Sequence, residues 1–328
     1  MIDRRHLLAA TAAAGVAASV AARAQTADAP DLSGTSILIT GCSSGFGRLM
    51  AEHFARGGAK VFATMRGLPR PEADGLRRLA ATEDLDLSVL ELDVRDPAQV
   101  VRAVAQAEDL AGGALDVVVN NAGISYAGPV EMQDMEATRH LFDTNVYGPH
   151  RVARAALPAM RARERGFVVN VSSQLGRVII PDFGQYSPTK FALEAMSEQM
   201  AIEVAPFGID VSIVQPGGYP TRIWANSLAL SERLLARTPD GLKAAYAPAV
   251  EALRARAESG GGGGDADPMD IPRAVAAIIE APRGERPLRV PVHPDPKPQE
   301  GINAIAAQTQ KTMLERMGRP GVARRLYG

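Results

Sequence analysis

Six short apolar runs recur along the first two thirds of the chain, at Ser36 to Thr40, Lys60 to Thr64, Ser88 to Leu92, Val117 to Asn120, Val168 to Val171 and Val211 to Val214. Helix-length stretches separate them, and this rhythm restricts the fold more than any other feature. Runs of nearly continuous Val, Ile and Leu suit strands that are covered on both faces. Strand, helix, strand order with right-handed crossovers makes such strands parallel. The expected class is therefore α/β, a doubly wound parallel β-sheet with helices on both sides.

No linker divides Thr35 from Pro216, so a single domain running over residues 33–328 accounts for the chain. The pattern changes beyond Thr221. A helical stretch from Ser227 to Glu258, broken near Thr238-Pro239-Asp240-Gly241, leads into Gly260 to Gly264, a run with almost no conformational preference. Residues 222–265 thus read as a helical substrate lid, with the glycines suited to mobility. The sheet then resumes as a C-terminal extension, with a helix near Ile271 to Ile279, a strand near Leu288 to Val292 and a polar helix from Gly301 to Met317.

The first strand runs into Gly41-Cys42-Ser43-Ser44-Gly45-Phe46-Gly47, and Arg48 to Arg56 then reads as a helix. Strand, Gly-rich turn, helix is the context of a Rossmann-type dinucleotide site. Gly41 permits the tight turn, Gly45 lets the backbone approach a pyrophosphate, and Gly47 allows close helix packing. An acidic residue at the end of the second strand would accept hydrogen bonds from a ribose 2′-hydroxyl, but this chain has Ala63-Thr64-Met65-Arg66 there. A guanidinium at Arg66, helped by the Ser43 and Ser44 hydroxyls, suits a 2′-phosphate, so NADP is the expected cofactor and NAD the alternative. The competing reading of Arg66 is a solvated loop cation.

Tyr186-Ser187-Pro188-Thr189-Lys190 places a phenol and an ammonium one helical turn apart on the same face. A free tyrosine titrates near ~10, but an adjacent lysine cation and the positive charge of an oxidised nicotinamide both favour the phenolate. Tyr186 is then expected to trade a proton with a substrate hydroxyl or carbonyl near neutral pH. Val168-Val169-Asn170-Val171-Ser172-Ser173 ends a strand at the carboxyl edge, where ligands bind in such sheets.

These motifs, T-G-x-x-x-G-x-G at Thr40 to Gly47, Asn120-Asn121-Ala122-Gly123, Ser173 and Tyr186 with Lys190, stand in the order of the short-chain dehydrogenase/reductase family, which the chain resembles from Thr35 to Thr221. Thr40 to Gly45 and Ala63 to Arg66 are nearest its hydroxysteroid and retinol dehydrogenase branch. The resemblance implies a catalytic set of Asn145, Ser173, Tyr186 and Lys190. Ser173, thirteen residues before Tyr186, would bond the substrate oxygen as charge develops. Asn145, at a helix distortion, would hold a water in line with Lys190, which also binds the nicotinamide ribose. For the cofactor it implies, besides the Gly-rich turn with Phe46, Asp93 and Val94 at the adenine, Asn120, Ala122 and Gly123 closing that side, and Pro216 and Gly217 leading to Thr221 at the carboxamide. The implied reaction is hydride transfer between NADP(H) and a small-molecule carbonyl or alcohol substrate, in a protein that is usually a homo-oligomer. Ile223, Trp224, Leu228, Leu230, Leu234 and Leu235 in the lid suggest an apolar substrate. The rival from another class is a non-catalytic NADP-binding sensor or interaction protein on the same fold.

Arg4-Arg5 before the Ala-rich run Leu7 to Ala22, with Ala22-Arg23-Ala24 at cleavage-site positions, reads residues 1–24 as a twin-arginine signal peptide. A periplasmic location is expected, with the cytoplasm as the alternative and no membrane contact by the mature form. A net charge of -1 offers no basic field for nucleic acid. Cys42 is the one cysteine, so an intrachain disulfide is excluded, and the five histidines lack metal-ligand spacing, so no metal is expected.

Overall fold

In the computed structural model, residues 30–258, 264–294 and 296–328 are described. The paired-arginine leader and Gly260 to Gly263 of the glycine run lie outside the described residues. Seven strands form one sheet: β1 (Ser36–Ile39), β2 (Lys60–Met65), β3 (Leu87–Glu91), β4 (Val117–Asn120), β5 (Gly166–Val171), β6 (Ile209–Pro216) and β7 (Arg289–Val292). Their order is β3-β2-β1-β4-β5-β6-β7, and every neighbouring pair is parallel. The doubly wound, Rossmann-type sheet is as expected.

Alternation along the strands divides the core between the two faces. Ile37 and Ile39 of β1 share one cluster with Val61, Val119 and Val169; Leu38 between them joins the other, with Phe62, Val118 and Val168. The first face is covered by α1 (Gly45–Arg56), α2 (Pro71–Glu83) and α10 (Asp270–Glu280), through Phe54, Leu76 and Ile278. The second is covered by α3 (Pro97–Ala111), α5 (Gly148–Ala162) and α6 (Tyr186–Val204), through Val104, Val152 and Met200. Because both faces are covered, strand sequences carry no polar stripe. Local signals set the helix ends: Asp96 caps α3 by accepting from the N–H groups of Ala98 and Gln99 at 2.9 and 3.1 Å, and Pro97 occupies its first turn.

Strand ends differ from expectation by at most two residues. β5 begins at Gly166 rather than Val168 because Gly166 pairs with Ile209. β6 extends to Pro216 because Pro216 pairs with Val292. Glycine, aspartate and proline at these ends carry no strand preference of their own, and the neighbouring strand recruits them.

The segment expected to form a lid holds three helices, α7 (Ile223–Arg237), α8 (Asp240–Ala245) and α9 (Ala247–Glu258), broken at Thr238-Pro239 as the sequence suggests. Leu230 and Leu234 of α7 pack on Ile124, Tyr126, Ala137 and Leu141, and Arg237 forks onto Asp134 ahead of α4 (Met135–Phe142). The expected C-terminal helix is α11 (Glu300–Arg316). A further helix, α12 (Pro320–Tyr327), went unread because only Ala323 and Tyr327 of its eight residues enter the core. Asp210 on β6 holds it: its carboxylate accepts from Arg325 Nη2 at 2.7 Å, Arg286 Nη1 at 3.3 Å and the Gly284 N–H at 3.1 Å.

Removing one partner of such a buried charge cluster leaves two guanidiniums without their counter-ion. Asp210→Asn should cost about 3 kcal/mol in denaturant unfolding. A loss under about 0.5 kcal/mol would show that α12 is held by its apolar contacts alone.

Candidate active site

Strand order reverses between β1 and β4, and the Gly-rich turn leaves β1 at the carboxyl edge beside that reversal. The turn lies against the segment that follows β4. Gly41 has φ +77°, and a Cβ there would stand 2.9 Å from Ala122 Cα; a Cβ on Gly47 would stand 2.4 Å from both Asn121 Nδ2 and the Gly41 carbonyl. Thr40 locks the two segments. Its hydroxyl accepts from the Asn121 and Ala122 N–H groups at 3.0 Å each, and Asn121 Nδ2 returns a bond to the Thr40 carbonyl at 2.8 Å. The sequence places Thr40 in the Gly-rich motif and Asn121 in the Asn120-Asn121-Ala122-Gly123 segment that steadies the sheet, without showing the bonds between them.

Gly45 faces open space, with Thr221 Cβ the nearest atom to a built Cβ at 3.7 Å. α1 starts there with no acidic residue in its first turn, and Ser44 makes no capping bond. Helix N–H groups that no side chain claims, under a glycine with room above it, fit a dinucleotide diphosphate. Cys42 is buried with Sγ 3.2 Å from the Ile39 carbonyl, and burial pushes its thiol up to about 12, so it packs rather than reacts.

Other proposed cofactor residues line the same edge. Arg66 is exposed at the end of β2, and its charge is felt at Asp93 and at His140. Asp93 is engaged by Arg95, with contacts of 2.6 and 3.0 Å, and the Arg95 guanidinium holds its carboxyl below the usual range. Val94 is buried, and its carbonyl accepts from Arg151. Asn120 turns its amide into the sheet, donating to Asn170 Oδ1 at 2.9 Å. Phe46 packs edge-on against Tyr219, which also meets His293, and Gly217 is pressed close to that imidazole. Ser43 and Ser44 stay half-buried at the turn.

Asn145, Ser173, Tyr186 and Lys190 converge at the carboxyl ends of β4 and β5. The helix distortion expected at Asn145 is a π-turn over Asp143–Tyr147, between α4 and α5. The Asn145 amide is held on both ends: Oδ1 accepts from the Ile124 N–H at 2.9 Å, and Nδ2 donates to the Ile124 carbonyl at 2.9 Å and to Thr189 Oγ1 at 3.1 Å. It therefore braces the loop after β4 against α6. Gly123 sits between that amide and Lys190, 3.5 Å from Asn145 Oδ1 and 3.8 Å from Lys190 Nζ when given a Cβ. Gln133, unassigned from sequence, ties the loops together by accepting from the Gln185 N–H at 2.8 Å and donating to the Tyr126 and Gly128 carbonyls.

Lys190 is 5% exposed, and its Nζ donates to the Val171 carbonyl at 2.9 Å and stands 5.7 Å from the Tyr186 ring centre. Ser173 stands beside the Tyr186 phenol, where it favours the ionised form, and caps the short turn Gln174–Gly176. Burial pushes Tyr186 up to about 12 in spite of Ser173, and burial pulls Lys190 down to about 8. The neighbouring ammonium does not make the phenol acidic, because both groups are desolvated and desolvation disfavours each charged form. Ser172 is buried with its hydroxyl unpartnered among the described residues.

The sequence model for short chain dehydrogenase matches residues 35–230. Human retinol dehydrogenase 8 is 40% identical over 200 residues, 59% of this chain and 61% of that enzyme, so the chain matches about three fifths of that relative's length. Among solved structures, a short-chain dehydrogenase from Streptomyces avermitilis is 31% identical with TM-score 0.65, covering 87% of this chain and 98% of that one. A gluconate 5-dehydrogenase from Burkholderia cenocepacia, in complex with NADP and tartrate, is 30% identical with TM-score 0.52 over 57% of this chain and 72% of that one.

The buried Lys190 cation opposes folding. Since its pKa falls from 10.5 to about 8, the cost is complete below pH ~8 and fades as pH rises toward the ordinary lysine value. Lys190→Met should therefore be more stable than the parent by up to about 3 kcal/mol at neutral pH, with the gap closing toward pH ~10.5. Its turnover should drop at least ~100-fold. Denaturant unfolding at several pH values checks this, and a variant less stable than the parent at every pH would refute it.

Proposed function

The chain belongs to the short-chain dehydrogenase family, an oxidoreductase family whose members bind a nicotinamide cofactor and act on small molecules, and on that basis we propose that it reduces an apolar carbonyl compound with NADPH, reversibly. When bound, the nicotinamide supplies or accepts the hydride. Tyr186 handles the proton at the substrate oxygen. A phenol pushed up to about 12 is protonated at neutral pH, so the resting side chain is stocked to donate, which is what carbonyl reduction needs. Ser173, beside that phenol, shares the same substrate oxygen and stabilises its developing charge. Lys190 brings the cation that helps Tyr186 release its proton and binds the ribose hydroxyls. Asn145 keeps the loop after β4 in register with α6.

The observation that carries the apolar substrate is an aromatic wall beside the proton donor. Phe183 lies 6.1 Å from Tyr186, and Trp224 from the lid meets Phe183 edge-on at 6.2 Å. Trp224 is held in place by donating Nε1 to the Tyr219 carbonyl at 2.9 Å. Such a wall removes water from an apolar or aromatic substrate and has little to bond to a sugar. Similarity to a retinol dehydrogenase supports the same reading. NADP over NAD rests on Arg66, on the lack of an acidic residue at the end of β2, and on the likeness to the NADP-bound gluconate 5-dehydrogenase.

A panel of steroid, retinoid, aryl ketone and sugar substrates assayed with both cofactors tests these points together. We expect catalytic efficiency with NADPH to exceed that with NADH at least ~10-fold on apolar carbonyls, and Arg66→Asp to reverse the ratio. Turnover restricted to sugars, or a preference for NADH, would overturn the corresponding half.

We further propose that the chain is exported on the Arg4-Arg5 leader and works as a homo-oligomer. A reporter carrying residues 1–24 should reach the periplasm, and replacing both arginines by lysine should keep it in the cytoplasm. Among the described residues no helix is long and apolar enough to cross a membrane.

A further inference from the structure

A short loop joins β2 to α2 and carries Arg66, the side chain read as the partner of the ribose 2′-phosphate. The loop is pinned at both ends. Where β2 stops, the Leu92 N–H donates to the Met65 carbonyl at 3.0 Å, and Glu91 at the end of β3 accepts from the Leu68 N–H at 3.2 Å. Gly67 turns the chain between them with φ +66°. At the far end stands Arg70, the residue just before α2. It donates Nη1 back to the Arg66 carbonyl at 3.2 Å and Nε forward to Glu72 Oε2 at 2.9 Å. Only the width of one guanidinium and two hydrogen bonds therefore separates the Arg66 backbone from a carboxylate.

Arg70 does nothing for the helix it precedes. Its side chain makes no capping bond, where Ser, Thr, Asp or Asn would make one. A cation at a helix N-terminus also opposes the helix dipole, which Glu72 and Asp74 in the first turn already suit without help. The charges around Arg66 give Arg70 a different task. Asp93 is engaged by Arg95 at 2.6 Å and Asp74 by Arg77 at 3.1 Å, while Arg48 of α1 is spent on Glu52 at 2.8 Å. Glu72 is engaged by Arg70, with Arg222 from the head of α7 3.9 Å from its other oxygen, and the Arg70 bond foremost holds its carboxyl down at about 2. Arg66 is exposed, and among the described residues its guanidinium has no hydrogen-bond or ion-pair partner. One cation is left uncompensated at the end of β2, on a backbone that its neighbours fix.

We propose that Arg70 is a positioning residue that sets the preference for NADP(H): it fastens the Arg66 backbone so that the Arg66 guanidinium stands ready for the 2′-phosphate, and it masks Glu72, whose bare carboxylate would repel that phosphate. This rests on the reading of Arg66 as the partner of the phosphate.

Calorimetry with 2′,5′-ADP and 5′-ADP isolates the 2′-phosphate from the rest of the cofactor. The parent should bind 2′,5′-ADP at least ~10-fold more tightly, and Arg66→Ala should remove most of that preference. Arg70→Ala should cut the preference about 5-fold and leave the affinity for 5′-ADP where it was; adding Glu72→Gln to Arg70→Ala should return about 2-fold of the loss. An unchanged preference in Arg70→Ala, or an equal weakening of both nucleotides, would overturn the proposal, and no recovery in the double variant would overturn the masking of Glu72. Should Arg70→Ala fail to fold, Arg70→Lys decides. An ammonium lacks the fork that grips both partners, so the preference should still fall about 2-fold, and a parent-like value would count against Arg70. Arg66→Ala separates the two readings: if it keeps the preference, the reading of Arg66 falls, whereas if it loses the preference and Arg70→Ala keeps it, only the role of Arg70 falls.

Discussion

Gly41 lies where any side chain would strike Ala122, and the carboxyl edge of the sheet depends on that approach of backbone to backbone. The turn after β1 and the segment after β4 leave neighbouring strands toward opposite faces, and they touch before they part. Thr40 and Asn121 lock the contact with reciprocal bonds. α1 therefore begins with its free N–H groups turned over the strand reversal, where backbone groups would hold a diphosphate. The next residues of the same segment, Gly123 and Ile124, reach Asn145, so one close contact sets both the cofactor side and the proton-transfer side.

The reacting pair is governed by desolvation. Tyr186 and Lys190 are both withdrawn from water, and each is pushed toward its neutral form. A protonated phenol suits the delivery of a proton to a carbonyl oxygen. Burial pulls Lys190 the opposite way, toward the neutral amine. The stability lost in burying these charges is recovered in the two apolar layers of the sheet.

The lid and the C-terminal helices act on the site from opposite sides. α7 brings Trp224 against Phe183 and is latched by Arg237 on Asp134 and by Ser231, which accepts from the Ala127 N–H at 3.0 Å. α11 and α12 approach the other flank of α6, where Asn303 donates to Gln215 and the Tyr327 hydroxyl to Glu198. Both flanks of α6 are thus packed by the segments farthest from the Gly-rich turn in sequence.

Much of the architecture was legible in the chain itself. Apolar runs marked the first six strands, Gly41, Gly45 and Gly47 marked the turn after β1, and the spacing of Tyr186 and Lys190 put them on one helical face. These are local signals, written by period, by conformational freedom and by neighbours one turn apart. Illegible were the ends of β5 and β6, the small helix α12, and the braces made by Thr40, Asn121 and Gln133. Each joins residues tens to more than a hundred positions apart, and no local pattern records such a meeting. How strongly burial acts on Tyr186 was illegible for the same reason: the sequence displays the lysine beside it, whereas only the folded chain decides how much water either group keeps.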